Sequence, residues 1–419
     1  MTGASKRVEA VYEVPFLAHA TMNCTVHIRE GTCDVWLGTQ VPTRVKAAAA
    51  QAAGLPTTKI RVHNQLIGGG FGRRLEIDYV TQAVLIAKEV DGPVKVVWTR
   101  EEDIQHDMYR PYYYDRISAG LDDEGKPIAW NHRIVGSSVT ARFFPTTLSK
   151  RILRVAAGLL RSRDWRHLRD IVGEVDYDAV NGAADLPYEL PNMLVDFVRQ
   201  EPPGIPTAYW RGVGATHNVF VIESFIDELA AIAKKDPLDY RRMLLGKSPR
   251  AKTVLELAAA KAGWNQSLPV GSGRGISVQT AFGSYLAQVV EVEASNDGQL
   301  QVKRVICAVD CGMKVNPDTI RTQIEGGIIF GLTAALFGEI TIKGGRVEQS
   351  NFHDYRLLRI SEVPAIEVHL LDSNESPGGI GESGTSAIAP ALTNAIFAAT
   401  GRRLRKLPIT RNQFNLASG

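Results

Sequence analysis

Three glycine-rich segments set the terms on which this chain of 419 residues can fold: Gly68-Gly69-Gly70-Phe71-Gly72, Arg211-Gly212-Val213-Gly214, and Gly378-Gly379-Ile380-Gly381-Glu382-Ser383-Gly384. Each interrupts regular structure, because glycine enters positive φ without a Cβ penalty and weakens helices and strands that contain it. Each also lets backbone N–H groups approach a ligand closely. A helix that follows adds unpaired N–H groups and the positive end of its dipole, a setting suited to an anion such as a phosphate. Tight turns are the alternative reading. Three loops, two of them leading into expected helices, favour the ligand-facing one. Neither G-x-x-x-x-G-K-[ST] nor a G-x-G-x-x-G after the first strand occurs, so the P-loop and dinucleotide fingerprints are missing.

Between these loops the chain has the composition of a soluble globular protein, 44% hydrophobic and 22% charged, which excludes disordered, fibrous and membrane classes. The length suggests two or three domains, each able to bury its own core. Forty-eight basic against forty-five acidic side chains leave +3, too little to argue for a nucleic acid or a membrane surface as partner. Met1 to Arg7 leads into Val8-Glu9-Ala10-Val11-Tyr12 rather than an apolar signal core, so no signal peptide is expected, and cytoplasm and periplasm both stay open. Cys24, Cys33, Cys307 and Cys311 lack the spacing of a zinc site or a ferredoxin cluster. They are expected to be buried thiols, and no iron–sulfur cluster is expected on this chain.

Periodicity gives α/β texture with added hairpins. The alanine-rich stretch within Thr39 to Gly54 favours helix, Lys59 to His63 alternates like a strand, Ile77 to Ala87 has helical spacing, and Val94 to Trp98 is another strand. Hairpins are expected around Asp123-Glu124-Gly125, Asn296-Asp297-Gly298 and Lys343-Gly344-Gly345. Phe220 to Ala233 reads as an amphipathic helix, Asp236-Pro237-Leu238 as a helix start, and Lys252 to Ala262 as a third helix, together a divider. Gly271-Ser272-Gly273-Arg274-Gly275 reads as a flexible linker, which puts a boundary near residue 268 between domains at 1–267 and 268–419. The expected class is α+β. The basic stretch Lys150 to Arg169 reads as a solvated helix face or a partner contact.

Glu382 stands between Gly381 and Gly384, before Ile388-Ala389-Pro390 opens an alanine-rich helix. A carboxylate held among glycines is poorly solvated, which raises its pKa and suits it to proton abstraction. The competing reading is a helix-start carboxylate stabilised by the dipole.

Together these residues resemble the molybdopterin-binding large subunit of the xanthine dehydrogenase and aldehyde oxidase family, nearest its isoquinoline 1-oxidoreductase branch. The matching stretches are Met22-Asn23-Cys24-Thr25, Gly38-Thr39-Gln40, Gly68 to Arg74, Tyr209 to Gly214, Ala308 to Gly312, Gln323 to Gly327, Gln349 to Tyr355 and Gly381-Glu382, in order along nearly the whole chain. The resemblance implies two molybdenum-cofactor-binding domains of mixed sheets, hairpins and covering helices. It also implies a molybdenum hydroxylase that oxidises an aldehyde or an N-heteroaromatic carbon with water as oxygen source.

By the same resemblance Glu382 is the catalytic base. Gln40 bonds the metal's apical oxo ligand, while Gly69, Gly70, Phe71 and Gly72 pass beside the metal. Arg211, Gln323 and Gly381 lie at the cofactor, and no side chain ligates the metal, which the pterin dithiolene holds. On the residues alone, Phe71 and Trp210, with Phe352, read either as the lining of an apolar substrate channel for a flat heterocycle or an aldehyde or as plain packing beside the glycines. The implied cofactor is molybdopterin cytosine dinucleotide. Because the cysteines cannot hold clusters, a partner must carry the electrons, and the resemblance implies a small [2Fe–2S] subunit, with a cytochrome as one further acceptor.

This branch of the family begins with a Met-Gly-Gln-Gly segment that this chain lacks. The match is therefore to the C-terminal part of the family's chain, and a second chain supplying the rest, or a longer parent sequence, is expected. Ser383 and Ser386 stand where the family has prolines, which bears on loop rigidity. Two other classes are weighed: an NAD-dependent dehydrogenase using the Gly68 loop, disfavoured by the missing third glycine and acidic ribose partner, and a non-catalytic assembly subunit.

Overall fold

Alternating burial decides the strands. The computed structural model describes residues 3–140, 176–295, 299–410 and 413. In β1 (Lys6–Val14), Ala10, Tyr12 and Val14 are buried and Val11 and Glu13 are not, the period of two that a sheet with one covered face requires. The chain then builds a small α/β layer from β2 (Asn23–Arg29), β3 (Thr32–Leu37), α1 (Pro42–Ala53), β4 (Ile60–Asn64), α2 (Asp78–Ala87) and β5 (Val94–Val97). Its sheet has the order β4-β3-β2-β5, with β3 and β4 parallel and β2 antiparallel to both its neighbours. Val45 and Ala49 of α1 and Val80, Ala83 and Val84 of α2 close a core over Cys24, Val26, Cys33 and Val35. The two helices and two strands expected between Thr39 and Trp98 are these.

After α3 (Arg100–His106), β6 (Tyr113–Leu121) and β7 (Pro127–Gly136) form the hairpin expected around Asp123 to Gly125. β6 pairs with β1, and β8 (Met193–Arg199), reached through the short α4 (Tyr177–Val180), pairs parallel to β7. The basic stretch from Lys150 to Arg169 lies outside the described residues.

The greatest departure from expectation is α5 (Val213–Ile232). It begins directly after Gly212, well before Phe220, and is buried continuously from Gly214 to Ala230 rather than amphipathic. Sheets pack against it from both directions. Phe220, Phe225, Ile226 and Leu229 share one core with Tyr12, Ile117 and Trp130 of the first large sheet and with Ile276, Val278 and Leu286 of the second. The helical block expected to divide the chain is a shared core. Its buried carboxylates are all paired: Glu223 with Arg241 at 2.9 Å, Asp227 with Arg403 at 2.6 Å, and Glu228 with Arg405 at 2.6 Å. Pairing is what allows charge at such a place.

α6 (Pro237–Leu244), capped by Asp236, and α7 (Pro249–Lys261) follow as expected. The segment expected as a linker is instead the start of β9 (Ser272–Ala281), where the backbone approaches the C-terminal helix so closely that a Cβ on Gly275 would stand 2.1 Å from Ala395 N. The glycines that suggested flexibility serve close packing. β9, β10 (Ser284–Ala294) and β11 (Leu300–Asp310) are antiparallel. The β10–β11 hairpin is the one expected, although its turn, 296–298, lies outside the described residues. Then come α8 (Pro317–Phe337), the small hairpin of β12 (Ile342–Lys343) and β13 (Arg346–Val347), and β14 (Ala365–Leu370), which adds to β11 in parallel. The short α9 (Ser383–Ser386) and the long α10 (Ile388–Thr400) complete an α+β fold. All four cysteines are free and buried. Among the described residues no helix is long and apolar enough to cross a membrane.

Candidate active site

The three glycine loops, each more than a hundred residues from the next, converge on one cavity of about 920 Å³ that also receives α8 and the segment around Phe352 and Tyr355. Gly72 shows why the first loop must be glycine-rich. Its φ is +100°, and a Cβ there would stand 1.9 Å from the Tyr209 carbonyl oxygen. The first loop therefore lies directly on the backbone of the second, and Arg211 N–H donates to the Phe71 carbonyl at 3.0 Å. A Cβ on Gly70 would meet Gln40 Oε1 at 2.6 Å, so the Gln40 carboxamide rests against a bare α-carbon.

A buried polar network behind the loops holds them together. Arg73 donates through Nε to Asp107 at 2.8 Å and through Nη1 and Nη2 to Asp78 at 2.6 and 2.7 Å. The other Asp107 oxygen accepts the His19 backbone N–H at 2.5 Å and faces His19 Nδ1 at 3.1 Å, and His19 Nε2 reaches the Tyr209 carbonyl at 2.7 Å. Burial works to raise the Asp107 pKa, yet His19 and Arg73 hold its carboxyl below the usual range. Sequence reasoning missed His19, Asp107 and the role of Arg73, because nothing local marks residues 34 and 88 positions apart as partners.

Arg211 joins the second loop to the third. Its Nε donates to the Gly381 carbonyl at 2.7 Å, and its Nη2 lies 3.2 Å from both the backbone and side-chain carbonyl oxygens of Gln323. Four of the expected site residues, Arg211, Gln323, Gly381 and Glu382, are thus brought to one place. Glu382 stands at the N-cap position of the four-residue α9, and its side chain makes no capping hydrogen bond there. Burial raises its pKa, and the Arg211 guanidinium opposes that rise. Burial likewise lowers the Arg211 pKa against the pull of Glu382.

Phe71, at φ +52°, and the buried Trp210 line the cavity, and so does the exposed Phe352. Phe330, which was not anticipated, joins the first two: its ring centroid lies 5.0 Å from that of Phe71 and 4.6 Å from that of Trp210. The signal was present in its position seven residues, two helical turns, beyond Gln323.

Whether the cavity fits a large anionic cofactor is decided by its donors. Among the described residues the N–H groups of Gly68, Gly69, Gly70 and Phe71 donate to no protein acceptor, and neither does the side-chain amide of Gln40. The same holds for the N–H groups of Gly381 and Glu382. Adjacent unpaired N–H groups form an anion-binding concavity, so the residues present fit a phosphate-bearing group. No group of three or more His, Cys, Asp or Glu side chains arranged to hold a metal occurs among the described residues.

Two family profiles, each described as a molybdopterin cofactor-binding domain, match residues 1–159 and 228–364. The chain is 34% identical over 385 residues to the beta chain of isoquinoline 1-oxidoreductase from Brevundimonas diminuta, covering 91% of this chain and 46% of that protein. To one of the nicotinate dehydrogenase polypeptides of Pseudomonas putida it is 30% identical over 441 residues, covering 100% of this chain and 36% of that one. It thus spans less than half the length of either relative. In fold it is similar to quinoline 2-oxidoreductase from Pseudomonas putida 86, with a TM-score of 0.77 at 13% identity over 98% of this chain and 76% of that one. The aldehyde oxidoreductase of Desulfovibrio gigas gives 0.77 at 14% identity over 99% and 61%.

Proposed function

Because the chain belongs to the molybdopterin cofactor-binding family of the xanthine dehydrogenase and aldehyde oxidase type, we propose that it is the part of a heteromeric hydroxylase that carries the molybdenum site. The reaction is oxidation of an aldehyde or of an N-heteroaromatic carbon, with water as the oxygen source. The observation that carries this reading is the joining of three glycine loops around a half-buried carboxylate, Glu382, by one arginine.

When bound, molybdopterin supplies a metal able to accept two electrons from the substrate carbon. The chain supplies the rest. The unpaired N–H groups of the first and third loops hold the anionic cofactor, and Gln40 and Gln323 orient it by hydrogen bonding. Glu382 takes up a proton at its carboxylate: burial raises its basicity, and the Arg211 guanidinium opposes that rise by favouring the ionised form. A scaffold subunit has no physical need for such a carboxylate.

The cofactor in this proposal is the cytosine dinucleotide form, cradled between the parts of the chain before and after residue 268, which line the cavity together and share one core. Electrons leave to a small [2Fe–2S] subunit and then a cytochrome. A polypeptide segment equivalent to the rest of the longer relatives completes the pterin site. Purification with all partner chains from a host able to make the cofactor tests this. About one molybdenum per complex is expected, together with turnover of aldehydes or N-heterocycles with an artificial electron acceptor. A fully assembled complex without molybdenum, or a nicotinamide-dependent activity in its absence, sinks the proposal.

A further inference from the structure

Every second residue of β9 from Gly273 to Gln279 faces the C-terminal helices, the period of two that puts alternate positions on one side of a sheet. Gly273 and Gly275 are bare, and α10 lies on them so closely that a Cβ on Gly273 would stand 2.2 Å from the Ala395 carbonyl oxygen. Ser277 and Gln279 are polar and buried, and Gln288, also buried, stands opposite Ser277 on β10.

Each of these three polar side chains donates to a backbone carbonyl beside Glu382 or shortly beyond it. Gln279 Nε2 reaches the Ser383 carbonyl at 2.6 Å, Gln288 Nε2 the Gly384 carbonyl at 3.0 Å, and Ser277 Oγ the Ala387 carbonyl at 2.6 Å. The last carbonyls of a helix have no N–H partner within it, and in the four-residue α9 the sheet supplies donors instead. On its other side α9 lies against α8, where a Cβ on Gly384 would stand 2.6 Å from the Ile324 carbonyl oxygen.

Glu382 stands at the head of this clamped segment and lines the cavity. Its own carbonyl accepts the Thr385 N–H at 2.9 Å, and the Gly381 carbonyl before it is held by Arg211 at 2.7 Å. Arg211 thus fixes the peptide unit that precedes Glu382, and the two glutamines fix the carbonyls of the two residues that follow. Gln279 and Gln288 are not among the residues lining the cavity, so what they do for the carboxylate they do through the backbone.

We propose that Gln279 and Gln288 are positioning residues for Glu382, their carboxamides holding the Ser383 and Gly384 carbonyls so that the carboxylate stays aimed into the cavity. This rests on the reading of Glu382 as the base. The competing role is structural, an anchoring of α9 to the second large sheet with no bearing on rate.

Gln279→Met and Gln288→Met keep the side chain's length and remove the donor, and Ser277→Ala removes the donor to Ala387, farther from Glu382. In the assembled, molybdenum-loaded complex, each Met variant is expected to slow reduction of the cofactor by substrate about tenfold or more, the order for a small misplacement of a reacting group, with KM within about threefold. Ser277→Ala stays within about twofold of wild type. Equal slowing in Ser277→Ala, or a wild-type rate in either Met variant, shows an anchor and overturns the proposal. Hydrogen exchange in the cofactor-free complex is the second readout. The peptide spanning 379–387 should exchange at least about fivefold faster in each Met variant, with β10 unchanged. Unaltered exchange in that peptide overturns the clamp even if turnover falls. Should a Met variant fail to assemble, Asn at the same position keeps the amide but shortens its reach, and the same slowing and faster exchange are expected. If Glu382→Gln is reduced nearly as fast as wild type while the Met variants still loosen the segment, the reading of Glu382 as the base fails and the glutamines are anchors only.

Discussion

At the scale of single residues, Glu382 and Arg211 form a unit whose parts can be separated. Glutamine at 382 keeps the side chain's size and reach but cannot accept a proton at neutral pH. Glu382→Gln is therefore expected to lower the rate of cofactor reduction by substrate by on the order of 10²–10⁴ or more, as usual for loss of a general base, with molybdenum content and melting temperature nearly unchanged. A variant reduced at more than about a tenth of the wild-type rate removes Glu382 from the chemistry. The pH dependence follows from the direction of the shift. As the proposed base, Glu382 would work only when ionised, and its pKa is raised by burial, so the rate should fall as pH drops through that raised value. Arg211 opposes the rise. Arg211→Met leaves burial unopposed, and the acidic limb of the pH–rate profile should move to higher pH. A limb that stays in place, or moves down, contradicts the electrostatic role given to Arg211.

At the scale of elements, the first glycine loop is held by contact rather than by its own conformational preference. Alanine at Gly72 meets two obstacles at once, a left-handed φ of +100° and a carbonyl oxygen 1.9 Å from the new methyl carbon. The backbone of Tyr209 and Trp210 would have to retreat, carrying Arg211 away from Gly381. Gly72→Ala is expected to cost about 2–4 kcal/mol in denaturant unfolding, the order for combined strain and overpacking, and to leave the purified complex depleted in molybdenum. Normal metal content in this variant would show that the joining of loops one and two is not needed to hold the cofactor.

At the scale of the whole molecule, the two large sheets share the core around α5, whereas the small sheet of β2 to β5 has a core of its own under α1 and α2. Local stability follows buried contact, so these regions should open independently. Native-state hydrogen exchange is expected to show the amides of β2 and β3 exchanging through a lower-energy opening, with α5, β6, β10 and β11 protected up to the global unfolding free energy. Equal protection of both sets would mean that the small layer is cooperative with the rest. Since that layer carries Gln40 and leads into the first glycine loop, cofactor binding should raise its protection more than that of α5.

Much of the fold was legible in the sequence because it is local. Strand alternation in Lys59 to His63, helical spacing in Ile77 to Ala87, the hairpin at Asp123 to Gly125, and a carboxylate set between glycines at Glu382 are each written within a short stretch of chain. The ordered motifs added Gln40, Arg211 and Gln323. Only the tertiary structure brought Arg211 to Gly381, 170 positions away, joined Arg73 to His19 through Asp107, and set Phe330 between Phe71 and Trp210. It also decided that Gly273 and Gly275 lie in a packed strand and that α5 is buried on all sides. The physical reason is common to these cases. Periodicity and turn chemistry report the forces a segment exerts on itself. What a glycine's missing Cβ or a helix's second apolar face is for depends on which distant surface arrives to meet it.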